Sequence, residues 1–233
     1  MPGHFTFYSN KINNNIADFD LSECKHAIGV LRYSLGDGIW FTDGFGKRYY
    51  GIISVSTKTG FQVEIKQTVL VDPLPGIHVF MAILKSRERM EWAVEKCSEL
   101  GVNSFTFFHA DRGERAKLNI DRMNKVAISS LKQSHGAWIT NVAVLGFDAI
   151  CRVGLSSPLF HKYIAFCSDS KKISPPEIQY PMALLIGPEG DFSTREIEIS
   201  NANNWIPLHC GNQILRSETA VVSVAAALRL SSR

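Results

Sequence analysis

The sequence lacks the features that mark secreted and membrane proteins. Its five cysteines are scattered, odd in number and contain no C-x-x-C pair, a usage that favours a reduced compartment. The N-terminal residues contain no apolar segment of signal-peptide length, and no apolar run approaches the length of a membrane span. We therefore expect a soluble, cytoplasmic protein that has no membrane partner.

Patterns typical of several enzyme classes are also missing. Neither G-x-G-x-x-G nor the Walker pattern occurs, which argues against NAD, against ATP on a P-loop and against the common Rossmann-type methyltransferase. The seven histidines show no metal-ligand spacing and no Ser-His-Asp pattern can be assembled, so we expect no metal. Charge is nearly balanced, with 25 Lys and Arg against 22 Asp and Glu, which permits a nucleic-acid partner without indicating one.

The two halves of the chain differ in their predicted secondary structure. Residues 1–70 contain short β-rich segments separated by Gly-Asp, Asp-Gly and Thr-Gly turn signals, which predict a small β-barrel. One segment in this half, SECKHAIGVLRY, is compatible with a helix capped by Ser22. Two prolines and a glycine make residues 71–76 a linker. Between residues 77 and 233 strands alternate with helices, which predicts an α/β domain with a mostly parallel sheet covered on both faces.

Local signals predict the helices of the second half. The apolar residues of the first helix recur at helical spacing and end at Gly101, and residues 120–131 repeat this pattern. Ser193 and Glu196 have the spacing of a capping box at the start of another helix. The last predicted helix, from about Ser217 to Leu230, is apolar almost all round. Such a helix is buried, often against another subunit.

The glycine-rich turns of the second half come late, after its last two predicted strands. The buried run LLIGPEGDF turns at Gly187–Gly190, and the strand WIPLHC is followed by Gly211. Ligands of open α/β sheets bind at the carboxyl ends of the strands, where glycine allows close backbone approach or a positive φ. These loops therefore predict a ligand site, and the simpler alternative is a strand-to-helix turn with a good cap.

The two glycine loops resemble those of a known family, the 16S ribosomal RNA uracil-N3 methyltransferases of the SPOUT superfamily. The matching stretches are LLIGPEGDFSTREIE and LHCGNQILRSETAVVSVAAAL, and ILKSRERMEWAVEKCSELGV resembles the family's first helix. In the first half, ECKHAIGVLRYSLGDGIWFTDGFG resembles the family's PUA-like barrel. Its matching positions are Glu23, His26, Leu31, Arg32, Gly36, Asp37 and Asp43. The resemblance implies a PUA-like barrel followed by an α/β domain with a deep C-terminal trefoil knot.

The resemblance also implies an activity and its cofactor. It predicts a homodimeric enzyme that uses S-adenosylmethionine to methylate N3 of a uridine in small-subunit (16S) ribosomal RNA. The cofactor would lie bent within the knotted loops near the dimer interface. The residues implied to bind it are Ile186, Gly187, Pro188, Glu189, Gly190, Leu208, Gly211, Ile214, Leu215 and Arg216. This chain departs from the family at Asp191, where a second glycine is usual, and at Gln213, where an arginine is usual.

The chemistry of uracil suggests roles for two of these residues. N3 carries a proton that has to leave before the nitrogen becomes a good nucleophile. By motif position, the resemblance implies Glu189 as the base and Arg216 as the cation that stabilises the resulting uracil anion. Two alternatives stay open: Glu189 bonds only loop amides, or Arg216 forms a structural bridge with Glu218.

The substrate has its own requirements. N3 lies on the Watson–Crick edge, so the target has to be unpaired when it reacts. The basic residues expected at the RNA surface are Arg32, Lys85, Arg87, Arg89, Arg112 and Arg115. Each cluster taken alone is also typical of a solvated face. The family departures leave an alternative function, a non-catalytic RNA-binding protein with a degenerate knot domain.

Overall fold

The computed structural model describes residues 6–113, 116–152, 161–166 and 178–231. The chain divides into two compact units. The first comprises Met1–Pro73 together with Ile128–Ile139, and the second comprises Leu74–Ala127 together with Thr140–Arg233. Among the helices of these described ranges, none combines the length and the apolar composition that crossing a bilayer requires.

The first unit is built on a mixed six-stranded sheet. Its strands are β1 (Thr6–Tyr8), β2 (Ile12–Asn13), β3 (Ile16–Phe19), β4 (Gly38–Thr42), β5 (Lys47–Ser56) and β6 (Phe61–Leu70). Their order is β1-β4-β5-β6-β3-β2, in which β1 and β4 run parallel and the other neighbours antiparallel. Buried aromatic rings dominate the core, among them Phe7, Phe19, Phe41, Tyr49 and Phe61. The prediction of a β-rich first half is therefore confirmed.

Three residues of the resemblance in this half, Gly36, Asp37 and Asp43, form its turns. Gly36 has a φ of +91°, a left-handed conformation that favours glycine. The carboxylate of Asp37 accepts the backbone N–H of Ser34 at 2.7 Å. Asp43 accepts two backbone N–H groups of its own turn and the hydroxyl of Tyr49 at 3.0 Å. Burial and this hydrogen bond raise the pKa of Tyr49 to about 12, so the Asp43 turn is joined to a neutral phenol.

The predicted helix of the first unit begins earlier than expected. Helix α1 covers Leu21–Cys24 and continues as a π-helical segment over Lys25–Val30. Its N-cap is Asp20, whose carboxylate accepts the backbone N–H groups of Ser22 and Glu23. The assignment of Ser22 as the cap was wrong, because an aspartate two residues earlier can satisfy both N–H groups.

Residues 128–139 belong to the first unit, whereas the sequence placed them in the predicted domain of residues 77–233. Backbone bonds hold the segment, from Gly46 N to Ala137 O at 2.8 Å and from Ile139 N to Gly44 O at 2.9 Å. Lys132 adds an ion pair to the largely buried Glu23 at 2.6 Å. Because these partners lie in residues 1–73, a fragment that begins at residue 71 would leave the segment without them.

The second unit is built on a parallel six-stranded sheet, as predicted. Its strands are β7 (Ile77–Ala82), β8 (Ser104–Phe108), β9 (Asn141–Val144), β10 (His161–Ala165), β11 (Met182–Ile186) and β12 (Ile206–Pro207). Their order is β12-β10-β11-β7-β8-β9, with every pair parallel. The helices are α2 (Arg87–Glu99), α3 (Ile120–Gln133), α4 (Phe147–Cys151), α5 (Thr194–Ala202) and α6 (Ser217–Ser231). Only the part of α3 before Ile128 belongs to this unit.

Two apolar layers cover this sheet, one on each face. Successive residues of a strand point to opposite faces, so Val79 packs with the larger layer and Phe80 with the smaller. The larger layer contains the buried residues of α2, α3 and α6, and the smaller contains those of α4. The prediction that helices cover both faces of the sheet is therefore confirmed.

The capping box at α5 links this helix to a neighbouring loop. Ser193 Oγ accepts the N–H of Glu196, and the Glu196 carboxylate accepts the N–H of Ser193 at 2.8 Å. The other oxygen of this fully buried carboxylate accepts the N–H of Asp111 at 3.0 Å. Glu196 thereby fixes the loop after β8 to the start of α5.

Replacing Glu196 by alanine is expected to lower the free energy of unfolding by about 2 kcal/mol, because two hydrogen bonds to a carboxylate are lost. Urea denaturation of the full chain measures this change. The matched control is Glu198→Ala, which removes an exposed carboxylate from the same helix and is expected to change stability by less than about 0.5 kcal/mol. Equal losses in the two variants would contradict a structural role for Glu196.

Candidate functional site

The first glycine loop, residues 187–190, leaves the parallel sheet at the end of β11. This strand is buried along its whole length and ends at Ile186. The first half of the loop is buried and the second half is exposed. A Cβ at Gly187 would lie 2.9 Å from the buried ring of Phe192, so the position requires glycine for packing. A Cβ at Gly190 would approach the backbone oxygen of Arg112 to 3.3 Å, which places that turn directly beside the loop.

Asp191, where the family usually has glycine, has a φ of +57°. Glycine favours this left-handed region, and aspartate is among the few other residues that enter it readily. Its N–H bonds to the Pro188 carbonyl at 3.0 Å, and its carboxylate accepts the N–H of Phe192 at 2.8 Å. The aspartate therefore adopts a left-handed backbone conformation that a glycine would adopt without strain.

The second loop, residues 208–216, connects the short edge strand β12 to α6. It begins at the buried Leu208, whose N–H bonds to Ile164 O at 2.8 Å. Gly211 has a φ of +110°, and a Cβ there would meet no atom within 4 Å. Ile214 is 88% exposed, whereas the next residue, Leu215, packs against the larger core layer. The loop thus combines open space at Gly211 with an exposed apolar side chain at Ile214, both of which a ligand could use.

One hydrogen bond joins the two loops. Ser217, the first residue of α6, donates its buried hydroxyl to the carbonyl oxygen of Gly187 at 2.6 Å. The carboxyl end of β11 and the amino end of α6 are therefore neighbours, although 30 residues separate them in the chain. The two loops face the same region of the second unit.

Arg89, in the first turn of α2, lies between two carboxylates of these loops. Its guanidinium is 3.4 Å from a Glu189 oxygen and 3.5 Å from Glu218 Oε1. Both distances are long for charge-assisted hydrogen bonds, so the contacts are ion pairs of moderate strength. Arg89 therefore places a positive charge between the first glycine loop and the start of α6.

Glu218 contains a buried oxygen that the protein does not satisfy. The residue is 6% exposed, and its Oε2 has no hydrogen-bond partner among the described residues. A buried carboxylate oxygen without a donor is costly, which makes it a candidate acceptor for a ligand. Among the described residues Glu218 pairs with Arg89, not with the exposed Arg216. The structure thereby contradicts the alternative of a bridge between Arg216 and Glu218.

The other basic residues that the sequence assigned to RNA lie in different environments. Arg87 donates to Glu91 at 2.6 Å in an exposed ion pair, whereas Lys85 and Arg112 are exposed at the ends of β7 and β8. Arg32 is exposed in the first unit and has a φ of +60°. Arg115 lies outside the described residues.

A cavity of about 860 Å³ lies at the carboxyl ends of β7, β8 and β9. The residues that line it are Ile83, His109, Ala110, Asp111, Gly113, Ala116, Lys117, Leu118 and Val144. The same turn contains Arg112, whose backbone lies beside Gly190. The segment after β8 that lines the cavity therefore also contains the turn that lies beside the first glycine loop.

The two loops have the groups that an organic ligand with hydrogen-bond donors and an apolar part would need. They present an open glycine, an exposed isoleucine, an unsatisfied carboxylate oxygen and the exposed Arg216. No group of three or more His, Cys, Asp or Glu side chains in the described residues is arranged to hold a metal ion.

Sequence reasoning missed Ser217 and Glu218 as parts of the site and gave Arg89 to the RNA surface. Two polar residues that open an otherwise apolar helix are the signal that could have identified the first two. The position of Arg89 gave no such signal, because its partners Glu189 and Glu218 lie one hundred residues or more away in the chain.

Residues 72–229, more than half of the chain, match the family model described as RNA methyltransferase domain. The curated relative Ribosomal RNA small subunit methyltransferase E of Bacillus subtilis is 26% identical over 226 residues, which are 88% of this chain and 86% of the relative. A solved structure of a probable rRNA-methyltransferase from Porphyromonas gingivalis is similar with a TM-score of 0.86 and 26% identity, over 97% of this chain and 98% of that chain. The structure of a Ribosomal RNA small subunit methyltransferase E from Neisseria gonorrhoeae bound to S-adenosyl methionine is similar with a TM-score of 0.85 and 25% identity, over 97% of both chains.

Proposed function

The chain belongs to the RNA methyltransferase domain family, and we propose that it transfers the methyl group of S-adenosylmethionine to N3 of a uridine in small-subunit (16S) ribosomal RNA. The observation that carries the proposal is the hydrogen bond from Ser217 to Gly187, because it brings together the two loops that the resemblance assigns to the cofactor. The names of the relatives support ribosomal RNA as the substrate. The ligand of the Neisseria structure supports the cofactor.

The residues of the two loops fit this cofactor. The open space at Gly211 and the exposed Ile214 suit its apolar and flat parts, and the free oxygen of Glu218 suits one of its donors. The remaining residues proposed to line the site are Ile186, Gly187, Pro188, Glu189, Gly190, Leu208, Leu215 and Arg216. When bound, S-adenosylmethionine supplies an electrophilic methyl group on a sulfonium. The protein then has mainly to hold the reacting atoms in line.

Two residues are proposed to act on the uracil. Arg216 is exposed at the end of the second loop and pairs with no carboxylate among the described residues. Its charge is therefore available to a uracil anion. Glu189 is held by Arg89 at the rim of the first loop and is proposed to accept the N3 proton, directly or through water. Lys85, Arg87, Arg112 and Arg115 are proposed to bind the flanking RNA, with Arg32 in the first unit.

The architecture of the family is proposed for this chain as well. It comprises a PUA-like RNA-binding barrel in residues 1–70, a linker in 71–76 and a trefoil-knotted methyltransferase domain in 77–233. The knot is supported by the return of the chain from the edge strand β12 to α6, beside the end of β11. The proposed substrate, ribosomal RNA within or outside the 30S particle, supports a cytoplasmic location, which is part of the proposal.

The activity is tested on the full chain in two steps. Calorimetric titration with S-adenosylmethionine measures cofactor binding. Incubation with unmethylated 30S particles, or with free 16S RNA, is then followed by reverse transcription, which is expected to stop at one uridine because an N3 methyl blocks the Watson–Crick edge. Binding of RNA without binding of S-adenosylmethionine would replace this proposal by the non-catalytic alternative.

Gly211→Val is expected to weaken S-adenosylmethionine binding at least tenfold, because the new side chain enters the open space at that glycine. The control is Gly36→Val in the first unit, whose Cβ also meets open space and whose φ of +91° imposes a similar backbone strain, and its affinity is expected to match the natural chain. Gly187→Val is unsuitable for this test, because its Cβ would collide with Phe192 and destabilise the fold by about 1–3 kcal/mol. Unchanged affinity in Gly211→Val would remove the second loop from the site.

A homodimer is proposed through α6. One side of this helix is buried in the larger core layer. The half-buried Val222, which borders that layer, is followed at intervals of four residues by the half-buried Ala226 and the exposed Leu230. Leu230 is 71% exposed, so its apolar side chain is available to a partner. A two-fold interface would bury this stripe against its own copy.

Light scattering at micromolar concentration is expected to give twice the mass of one chain, and Leu230→Glu is expected to shift the population toward the monomer. The control is Ser223→Glu, which places the same charge at an exposed polar position of the helix. A natural chain that is monomeric at this concentration would rule out the dimer.

A further inference from the structure

A second candidate binding site, formed by aromatic and basic side chains, lies in the first unit on the face of the sheet opposite its core. Tyr49 points into the core, so its neighbours Arg48 and Tyr50 point to the other face. Trp40 pairs with Tyr50 across β4 and β5, and Val69 pairs with Arg48 across β5 and β6. The sheet therefore places an indole, a phenol and a guanidinium side by side.

These groups border a cavity of about 480 Å³ lined by Trp40, Arg48, Val69 and His135, here called the Trp40 pocket. The Trp40 ring centroid is 5.4 Å from that of Tyr50, and Arg48 Cζ is 5.5 Å from the Trp40 centroid. His135 enters from the segment 128–139, with its Nδ1 2.7 Å from Thr6 Oγ1. The volume lies within the range of about 300–1,000 Å³ that is typical of ligand pockets.

Among the described residues, no acid neutralises the charge of this pocket. Arg48 Nε is shielded from solvent and has no hydrogen-bond partner, and no carboxylate of the described residues lies within ion-pairing distance of Arg48. The four lining residues include no acid. A guanidinium that stacks on an aromatic ring and lacks a counter-charge is suited to bind a phosphate or another anion.

The backbone of His135 is also unusual. Its φ is +55°, in the left-handed region that costs a residue other than glycine of order 1 kcal/mol or more. The bond to Thr6 fixes the ring in this strained position at the edge of the pocket. The imidazole therefore lines the pocket in spite of this backbone strain.

We propose that the Trp40 pocket binds one nucleotide of single-stranded RNA, with the base stacked on the Trp40 and Tyr50 faces and its phosphate on Arg48. Aromatic faces beside an uncompensated cation are the combination by which proteins bind unpaired bases. An acidic peptide would use the cation but would leave the aromatic faces without a flat partner. The inference rests on the proposed function, because that function makes RNA the substrate, and it adds a second contact with the same RNA in the first unit.

The test uses the full chain and a fluorescein-labelled, eight-nucleotide single-stranded RNA of mixed sequence, with binding followed by fluorescence anisotropy. Trp40→Leu is expected to weaken binding about tenfold or more, because one stacked base is lost, whereas Trp40→Phe retains an aromatic face and most of the affinity. Arg48→Gln is expected to weaken binding and to lower the slope of log affinity against log salt by about 0.7, the value for one phosphate contact on a single strand. Lys58→Gln is the matched control, since it removes an exposed cation from the turn between β5 and β6, and it is expected to change neither quantity.

Calorimetry with S-adenosylmethionine and thermal unfolding are measured on the same variants. Both are expected to match the natural chain, so that a failure of the proposed function, seen as absent cofactor binding in the natural chain, is distinguished from a failure of the pocket. RNA affinity equal to that of the natural chain in Trp40→Leu and Arg48→Gln would overturn the proposal. Loss of a dimer in these variants, with RNA affinity retained, would also overturn it and would assign the surface to a second copy of the chain.

Discussion

The Arg216→Ala variant is expected to methylate small-subunit ribosomal RNA roughly a hundredfold more slowly than the natural chain, a loss comparable to that of one oxyanion-hole donor. As the uracil loses its N3 proton, negative charge spreads to the ring oxygens, and a fixed cation stabilises that charge in the transition state. Such a group affects turnover more than binding. S-adenosylmethionine affinity, measured by calorimetry, is therefore expected to change far less than the rate.

The structure removes one alternative to the catalytic role of Arg216 that the sequence left open. The structural role that the sequence left open for Arg216 is an ion pair with Glu218, and Glu218 is instead paired with Arg89. Lys125→Ala removes an exposed cation of α3 and serves as the control for charge alone. An Arg216→Ala chain that loses cofactor affinity in proportion to its rate, or that does not fold, would show that the catalytic assignment is wrong. Partial recovery of the rate in Arg216→Lys would support a role for the charge itself.

The second large effect is expected at Glu218. Glu218→Gln retains the shape of the side chain and replaces one carboxylate oxygen by an amide that donates. If the unsatisfied Oε2 accepts a hydrogen bond from bound S-adenosylmethionine, its loss costs about 1.5–3 kcal/mol, so the affinity is expected to fall at least tenfold. Calorimetric titration of the purified variant measures this directly.

A stability measurement separates this role from a structural one. Glu218→Gln also weakens the ion pair with Arg89, which is partly exposed, so only a small loss of stability is expected from that source. Glu198→Gln, at an exposed position of α5, is the control for charge removal. If Glu218→Gln is more stable than the natural chain and binds the cofactor equally well, the buried oxygen serves no ligand and Glu218 is only the partner of Arg89.

Local sequence determined the elements of this protein. The apolar spacing that ends at Gly101 forms α2, and this glycine has the positive φ of a helix C-terminus. The capping box formed as predicted, because its two residues lie three apart and need no distant partner. The alternation of buried strands and helices was likewise sufficient to predict a parallel sheet with helices on both faces.

Tertiary structure decided which charged residues pair and to which of the two units residues 128–139 belong. The sequence left open a bridge between Glu218 and Arg216, two residues away, but the fold brings Arg89 to Glu218 instead. It also joined residues 128–139 to the first unit through backbone bonds to Gly44 and Gly46. Helix and strand signals repeat over a few residues and can be read along the chain, whereas an ion pair or an unpaired guanidinium such as that of Arg48 depends on which distant segments meet. The loops of the candidate site were therefore visible in the sequence, and the contacts that join them were decided only by the fold.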